Sequence, residues 1–186
     1  MDDREDWSLV ALAQRGDMDA FAALVRRYQR PVINFCFRMV NSWEDAEDMA
    51  QETFVRVYRY LNRLEPRAAF RTVLFGMARQ ITLNRLRDEK RRGAKAQVAL
   101  DGVPEKAATA VQPQPDCVEL ASLLEEGLSA LAPLHREVLL LREKHGFEYA
   151  EIAEVLQIPV GTVRSRLARA RDELRRWLEA KGVWSV

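Results

Sequence analysis

The chain of 186 residues is 48% hydrophobic and 31% charged, and its 29 basic and 28 acidic residues give a net charge of +1. This composition fits one large or two small soluble domains, and charged residues interrupt every apolar stretch before the ~20 residues of a membrane span. The acidic start is unlike a signal peptide, so we expect a cytoplasmic protein without membrane insertion. Cys36 and Cys117 show no CxxC or disulfide pattern and are expected to be buried.

The charge is distributed unevenly along the chain. Residues 1–66 carry −3, residues 67–95 carry +7, residues 96–137 carry −5 and residues 138–186 carry +2. Blocks of alternating sign suggest separate surfaces for different partners. The +7 block in particular favours an anionic partner.

Apolar residues recur every three to four positions almost throughout, which predicts an all-α protein. A first helix includes residues 21–39 and is expected to kink at Pro31. A second covers residues 46–61, with Tyr58 in its apolar stripe, and a third runs from about residue 70 to 92 after a polar loop.

Residues 94–115 lack helical periodicity and are predicted to be a flexible linker. They separate an N-terminal domain at 1–93 from a C-terminal four-helix domain at 116–186. The last two helices, at 148–156 and 160–178, have the proportions of a helix-turn-helix.

The last helix carries a face suited to DNA. Residues 160–176 contain six arginines and two acids, and Arg164 and Arg166 lack an acidic partner one turn away. Small residues such as Gly161 let a helix backbone approach base edges, while arginines meet phosphates. The alternative is an ordinary amphipathic helix with a solvated arginine-rich face. Gln157 stands at a turn position where many such motifs have glycine, so the turn geometry is expected to differ.

The second and third helices carry opposite charges. Asp45, Asp48 and Glu52 would share one face of the second helix, which suits either the helix dipole or a basic partner helix, and spacing leaves both interpretations open. Arginines alternate with apolar residues along the third helix. This pattern fits an anionic partner better than a merely solvated face.

Taken in order, these segments resemble bacterial RNA polymerase sigma factors of the small extracytoplasmic-function class. The resemblance covers roughly residues 17–178 and is carried by FAALVRRYQRPVINF, DAEDMAQETFVRVYRYL, FRTVLFGMARQITLNRLRDEKRR and, after the linker, LSALAPLHREVLLLREKHGFEYAEIAEVLQIPVGTVRSRLARARDELRRWL. It implies a region 2-like and a region 4-like domain. It also implies a subunit that binds core RNA polymerase, recognises −35 duplex and melted −10 DNA, and directs promoter-specific initiation.

The resemblance further implies residue roles. The core-polymerase contacts are Asp45, Asp48, Gln51 and Glu52. The −10 contacts are Asn62, Arg63 and Arg67 of the polar loop, where the family captures an unpaired base, with Arg79, Asn84, Arg85 and Arg87 of the third helix. The −35 contacts are Gly161, Thr162, Arg164, Ser165, Arg166 and Arg169. Val73, Gln80 and Asn84 depart from residues common in the family, and the polar changes leave the −10 preference open.

Two other functions remain open on the residues alone. A conventional helix-turn-helix regulator with a sensing N-terminal domain would bind duplex DNA tightly without polymerase, and a helical adaptor would use the charged faces for proteins. His135 and His145 are isolated, and no nucleophile–base or metal-ligand spacing occurs. We therefore expect no enzyme activity, metal, cofactor or small-molecule substrate. The family commonly has an anti-sigma factor as a further partner.

Overall fold

The computed structural model describes residues 3–96 and 115–183, with side chains for residues 3–91 and 120–183. Within these ranges the chain is helical without strands, as the sequence predicted, and none of the helices is both long and apolar enough to cross a bilayer. The helices are α1 (Asp3–Gln14), α2 (Met18–Val40), α3 (Trp43–Tyr60), a 3-10 turn (Leu61–Arg63), α4 (Phe70–Ala96), α5 (Pro115–Ala130), α6 (Pro133–Leu139) with a π-helical continuation (Leu140–Lys144), α7 (Tyr149–Leu156) and α8 (Val160–Ala180).

Helices α1 to α4 pack around an aromatic core. Tyr28, Phe35 and Phe70 are fully buried, and Phe70 lies edge-on to Tyr28 at 5.7 Å between ring centres. Helix α2 begins where the Asp17 carboxylate accepts the amides of residues 19 and 20, and it continues through Pro31. Tyr58, predicted in the apolar stripe of α3, lies beside Phe21 but remains 49% exposed near the end of the helix.

Helices α5 to α8 form the C-terminal unit, in which α7 and α8 make the helix-turn-helix. Val163, Leu167 and Ala170 are buried on the inner side of α8, as the periodicity predicted. Gln157 adopts the left-handed conformation (φ 55, ψ 47) that glycine takes more readily. Its amide still caps α7 by donating to the carbonyl of Ala153, so the turn keeps a glycine-like geometry without glycine.

The two units pack directly against each other. Helix α4 contacts α7, and α2 contacts α5 and α6. At the centre, Phe75 of α4 lies 5.1 Å from Phe147 and 4.8 Å from His145, measured between ring centres. Phe75 and Phe147 are both buried, so one apolar core runs through both units. We call this packing the closed arrangement.

The predicted linker falls mostly outside the described residues. The linker was expected at residues 94–115. Helix α4 continues to Ala96 and α5 begins at Pro115, so both helices extend a little way into that range. Cys36 is fully buried, as expected, and burial raises the pKa of its thiol to about 11. The side chain of Cys117 lies outside the described residues.

Candidate functional site

An acidic face lies along the second and third turns of α3. Asp48, Gln51 and Glu52 are exposed on this helix, and we call these three residues the acidic face. Asp45, the fourth residue predicted to bind polymerase, is half-buried and forms an ion pair with Arg85 of α4. The structure therefore leaves three of the four predicted residues accessible and uses the fourth to hold α3 against α4.

A cleft of about 310 Å³ separates α3 from α4. It brings together residues that the resemblance assigned to different partners, because one wall carries three of the predicted polymerase contacts and the other carries Asn84 and Arg85 of the predicted −10 contacts. Its polar lining comprises Asp45, Asp48, Glu52, Asn84, Arg85 and Asp88. Arg87 is exposed on α4 but does not line this cleft.

An apolar groove of about 660 Å³ runs between α2 and α3. Tyr58 and Val55 are exposed along it, and Tyr58 lies 5.2 Å from the ring of Phe21. Gln51 of the acidic face also lines this groove. The acidic face and the groove therefore form one continuous surface with a polar and an apolar part.

The polar loop after α3 presents its predicted residues to solvent. Asn62, Arg63 and Arg67 are all exposed. The Arg63 guanidinium lies 5.8 Å from the centre of the Tyr60 ring, and Arg67 pairs locally with Glu65 at 2.6 Å. An exposed pair of this kind contributes little to stability, so these side chains can turn to another partner at small cost.

Arg79 points in another direction, towards the C-terminal unit. It donates hydrogen bonds of 2.7 and 3.2 Å to the carboxylate of Glu137 on α6, whose side chain is fully buried. Arg166 of α8 lies 3.8 Å from the same carboxylate. Burial raises the pKa of Glu137, while the two arginines act in the opposite direction. One carboxylate thus engages a residue predicted to read the −10 element and one predicted to read the −35 element.

Two more arginines join the units. Arg71 donates to both carboxylate oxygens of Glu151 on α7 and lies 4.7 Å from the centre of the Phe147 ring. Arg136 of α6 is buried, which lowers its guanidinium pKa, and it donates to the backbone carbonyl of Met39 at the end of α2. Sequence reasoning missed these contacts. For Arg136 the only signal was a charged pair inside the apolar run LHREVLLL.

The outer face of α8 matches its prediction most closely. Gly161, Arg164, Ser165 and Arg169 are exposed, whereas Thr162 and Arg166 are half-buried. Among the described residues, Arg164 and Arg169 have no ion-pair partner. Further along the helix, acids neutralise the basic flank, since Arg171 pairs with Glu143, and Arg175 with Asp172 and Glu179. Of the three α8 arginines without an ion pair in the described part of the chain, two therefore lie in the N-terminal half of the helix, and the third, Arg176, donates to the backbone carbonyl of Asp172.

A metal site has no support in the parts of the chain that the structure describes, which hold no group of three His, Cys, Asp or Glu side chains suited to a metal ion. The geometry instead defines a two-part helical protein with an arginine-bearing helix-turn-helix and a separate acidic surface. Comparison with known proteins makes this class specific.

Residues 24–92 match the family description "Sigma-70 region 2", and residues 121–174 match "Sigma-70, region 4". The ECF RNA polymerase sigma factor SigW of Bacillus subtilis (strain 168) is 32% identical to the chain, with 91% of this chain and 94% of that protein covered. The ECF RNA polymerase sigma-E factor of Escherichia coli (strain K12) is 35% identical, with coverages of 91% and 92%. The chain belongs to the sigma-70 family of RNA polymerase sigma factors, in its extracytoplasmic-function class.

Solved structures agree with this assignment. CnrH, in complex with the cytosolic domain of CnrY, is 30% identical with a TM-score of 0.68, covering 95% of this chain and 98% of that one. The fold is also that of RpoE in complex with the anti-sigma factor NepR from Bartonella quintana, at 23% identity and a TM-score of 0.70 over 86% and 96% of the two chains. The protein is a promoter-recognising sigma factor and not an enzyme, and a conventional regulator is not favoured.

Proposed function

We propose that this sigma factor acts in the cytoplasm and divides its partners among three surfaces. The acidic face of α3 binds core RNA polymerase, the loop after α3 and the adjoining part of α4 bind melted −10 DNA, and the outer face of α8 reads the −35 duplex. The observation that carries the proposal is the exposed pair Arg164 and Arg169 beside Gly161 and Ser165, in a chain of this family.

The polymerase contact rests on charge and accessibility. Asp48, Gln51 and Glu52 are exposed on one side of a rigid helix, next to the apolar groove between α2 and α3. Such a surface suits a partner helix with basic residues at its edge and apolar residues at its centre. Asp45 supports this contact indirectly, because its ion pair with Arg85 fixes the start of α3.

The −10 contact uses the exposed residues Asn62, Arg63 and Arg67 of the loop, with Asn84 and Arg87 of α4. Arginines and amides bind phosphates and unpaired base edges, and captured bases stabilise the melted strand by binding energy alone. Arg85 would have to leave Asp45 to take part.

The −35 contact places the N-terminal half of α8 in the major groove. Gly161 and Ser165 let the backbone approach the base pairs, while Arg164 and Arg169 meet phosphates or guanines. Arg166 and Arg79 both engage Glu137 in the closed arrangement, so they reach DNA only when the two units separate.

A second protein partner is part of the proposal. RpoE and CnrH were both solved in complexes, the former with an anti-sigma factor. We infer that an anti-sigma factor also controls this chain and competes for the surfaces that bind polymerase and DNA.

The test is run-off transcription on genomic promoter fragments with purified core RNA polymerase. We expect specific transcripts only when sigma factor and core are both present, and Arg169→Ala should reduce transcription from promoters that depend on a −35 element. Arg176→Ala is the matched control, because Arg176 is exposed on the same helix but donates to the backbone of its own helix. Absence of promoter-directed transcripts with active core would refute the assignment.

Binding without polymerase provides the second arm. A conventional regulator would bind duplex promoter DNA tightly on its own, whereas this protein should bind it weakly until core is added. Tight, sequence-specific binding by the isolated chain would favour the regulator.

A further inference from the structure

Helix α1 is joined by side-chain hydrogen bonds to the loop that follows α3. The Gln14 side-chain amide donates to the backbone carbonyls of Leu61 and Leu64, at 2.9 and 3.0 Å. The Trp7 indole N–H donates to the carbonyl of Ala68 at 3.0 Å. The two partners of each bond are between 47 and 61 positions apart in the chain. The bonds attach both ends of residues 61–69, which we call the 61–69 loop, to α1.

The same helix also holds the start of α4. The Asp3 carboxylate accepts the backbone N–H of Phe70, the first residue of α4, at 2.9 Å. Such a carboxylate at a helix N-terminus satisfies an amide that has no partner within the helix. The Trp7 ring also packs edge-on against Phe70 at 6.1 Å.

Helix α1 is itself anchored firmly. Asp6 is 1% exposed, and its carboxylate accepts hydrogen bonds from the Tyr28 hydroxyl and from Arg27 of α2. Val10 and Ala13 are buried on the same side of α1. The helix is therefore a fixed support and not a loosely attached N-terminal segment.

Bonds within the loop do not outnumber those from α1. Two backbone hydrogen bonds form inside it, from the amide of Leu64 to the carbonyl of Leu61 and from the amide of Arg67 to the carbonyl of Glu65. The Arg67 side chain also donates to the Glu65 carboxylate. The α1 bonds use backbone carbonyls only, so they leave Asn62, Arg63 and Arg67 exposed.

We propose that Asp3, Trp7 and Gln14 are positioning residues that hold the 61–69 loop in the conformation needed to capture melted −10 DNA. A loop fixed beforehand loses less conformational entropy on binding, which increases affinity without a new contact to the DNA. Helix α1 precedes the segment that matches region 2, at residues 24–92, and this role adds an element to the −10 site. The inference rests on the proposed −10 function of the loop.

The test uses two variants that remove a donor and retain the shape. Gln14→Glu replaces the amide with a carboxylate that cannot donate to the two carbonyls, and Trp7→Phe removes the indole N–H but retains a ring against Phe70. Ala11→Glu is the matched control, because it adds the same charge at an exposed position of the same helix. Thermal unfolding of each full-length variant checks folding, so Trp7→Phe remains informative if Gln14→Glu is destabilised.

Two measurements distinguish increased mobility of the loop from loss of −10 strand opening. Trypsin cleavage after Arg63 and Arg67 in the free protein reports loop mobility. Permanganate reactivity of −10 thymines in holoenzyme, on a promoter found by run-off transcription, reports strand opening, and core affinity is measured in parallel. For Gln14→Glu and Trp7→Phe we expect about fivefold faster trypsin cleavage and about tenfold weaker strand opening, with unchanged affinity for core. Ala11→Glu should match wild type in all three measurements.

The outcomes are distinguishable. Unchanged cleavage or unchanged opening in Gln14→Glu and Trp7→Phe, while Arg63→Ala impairs opening, would overturn the positioning role and leave the loop's −10 function standing. If Arg63→Ala and Asn62→Ala also leave opening unchanged, the −10 assignment of the loop fails, and the positioning role fails with it.

Discussion

Arg79 of α4 and Glu137 of α6 form two hydrogen bonds across the boundary between the two units, at 2.7 and 3.2 Å, with the Glu137 side chain fully buried. A buried carboxylate needs such partners, because leaving either charge unpaired costs several kcal/mol. Since Arg166 of α8 approaches the same carboxylate, the closed arrangement engages two arginines that we propose as DNA contacts.

Glu137→Gln should weaken the closed arrangement. The amide keeps the shape but loses the charge that holds Arg79 and Arg166, so we expect the open fraction to rise about tenfold, or about 1.4 kcal/mol. Energy transfer between dyes on α3 and α8 measures the separation. Glu173→Gln is the control, since Glu173 pairs with His135 inside the C-terminal unit. Unchanged energy transfer in Glu137→Gln would contradict the prediction.

Acid should also destabilise the folded protein, through His145. Burial is the main cause that lowers its pKa to about 4 from 6.5, with smaller effects of Lys144 and Arg38. The unfolded chain therefore binds a proton more tightly than the folded one between these two values. The contribution of neutral His145 to stability is fully present above about pH 6.5 and is lost as the pH falls towards 4. The free energy of unfolding decreases by about 2–3 kcal/mol over this range.

Chemical denaturation of wild type and His145→Gln from pH 4 to 8 tests this dependence. Both proteins share every other titrating group, so the difference between their curves isolates His145. We expect wild type to lose more stability below pH 6.5 than the variant. If the stability of both proteins depends on pH in the same way, the His145 imidazole is not desolvated between Phe35 and Phe75.

Reversing charge on the acidic face should weaken polymerase binding. Asp48→Lys and Glu52→Lys place positive charge on an exposed surface proposed to meet a basic partner, and we expect at least about tenfold lower core affinity, with a smaller effect at high salt. Glu126→Lys makes the same change at an exposed site on α5 and should leave affinity intact. Affinity for core is measured by fluorescence titration. Equal affinities of all three variants would show that the acidic face does not contact core polymerase.

Two glycines in helices should respond in opposite directions to alanine. A Cβ at Gly127 would lie 2.7 Å from Leu174 and 3.0 Å from Trp177, where α5 meets α8, so Gly127→Ala should lower the free energy of unfolding by about 1–2 kcal/mol. A Cβ at Gly76 meets no atom within 4 Å, so Gly76→Ala should raise it by about 0.5–1 kcal/mol. Denaturant titration measures both changes. A stabilising Gly127→Ala would show that α5 sits differently on α8.

The periodic pattern predicted the helices because it repeats within each helix and needs no knowledge of the fold. It placed Tyr58 on the apolar side of α3, where the ring lies 5.2 Å from that of Phe21, but periodicity could not show that the side chain stays 49% exposed. The sequence shows no acidic residue one helical turn from Arg166, and that observation is correct within α8. In the folded protein, however, Glu137 of α6 lies close enough to pair with it. For Arg164 the same local observation also holds in the described tertiary structure.

By itself, the sequence determined the all-α class, the helix-turn-helix and the blocks of opposite charge, because these follow from the order of residues along the chain and need no contact between distant helices. Only the tertiary structure decided which charged residues are free. Arg79 meets its carboxylate 58 positions away and Gln14 its carbonyls 47 and 50 positions away. Such contacts depend on how distant helices pack, and a near-neutral total charge of +1 gives no information about them.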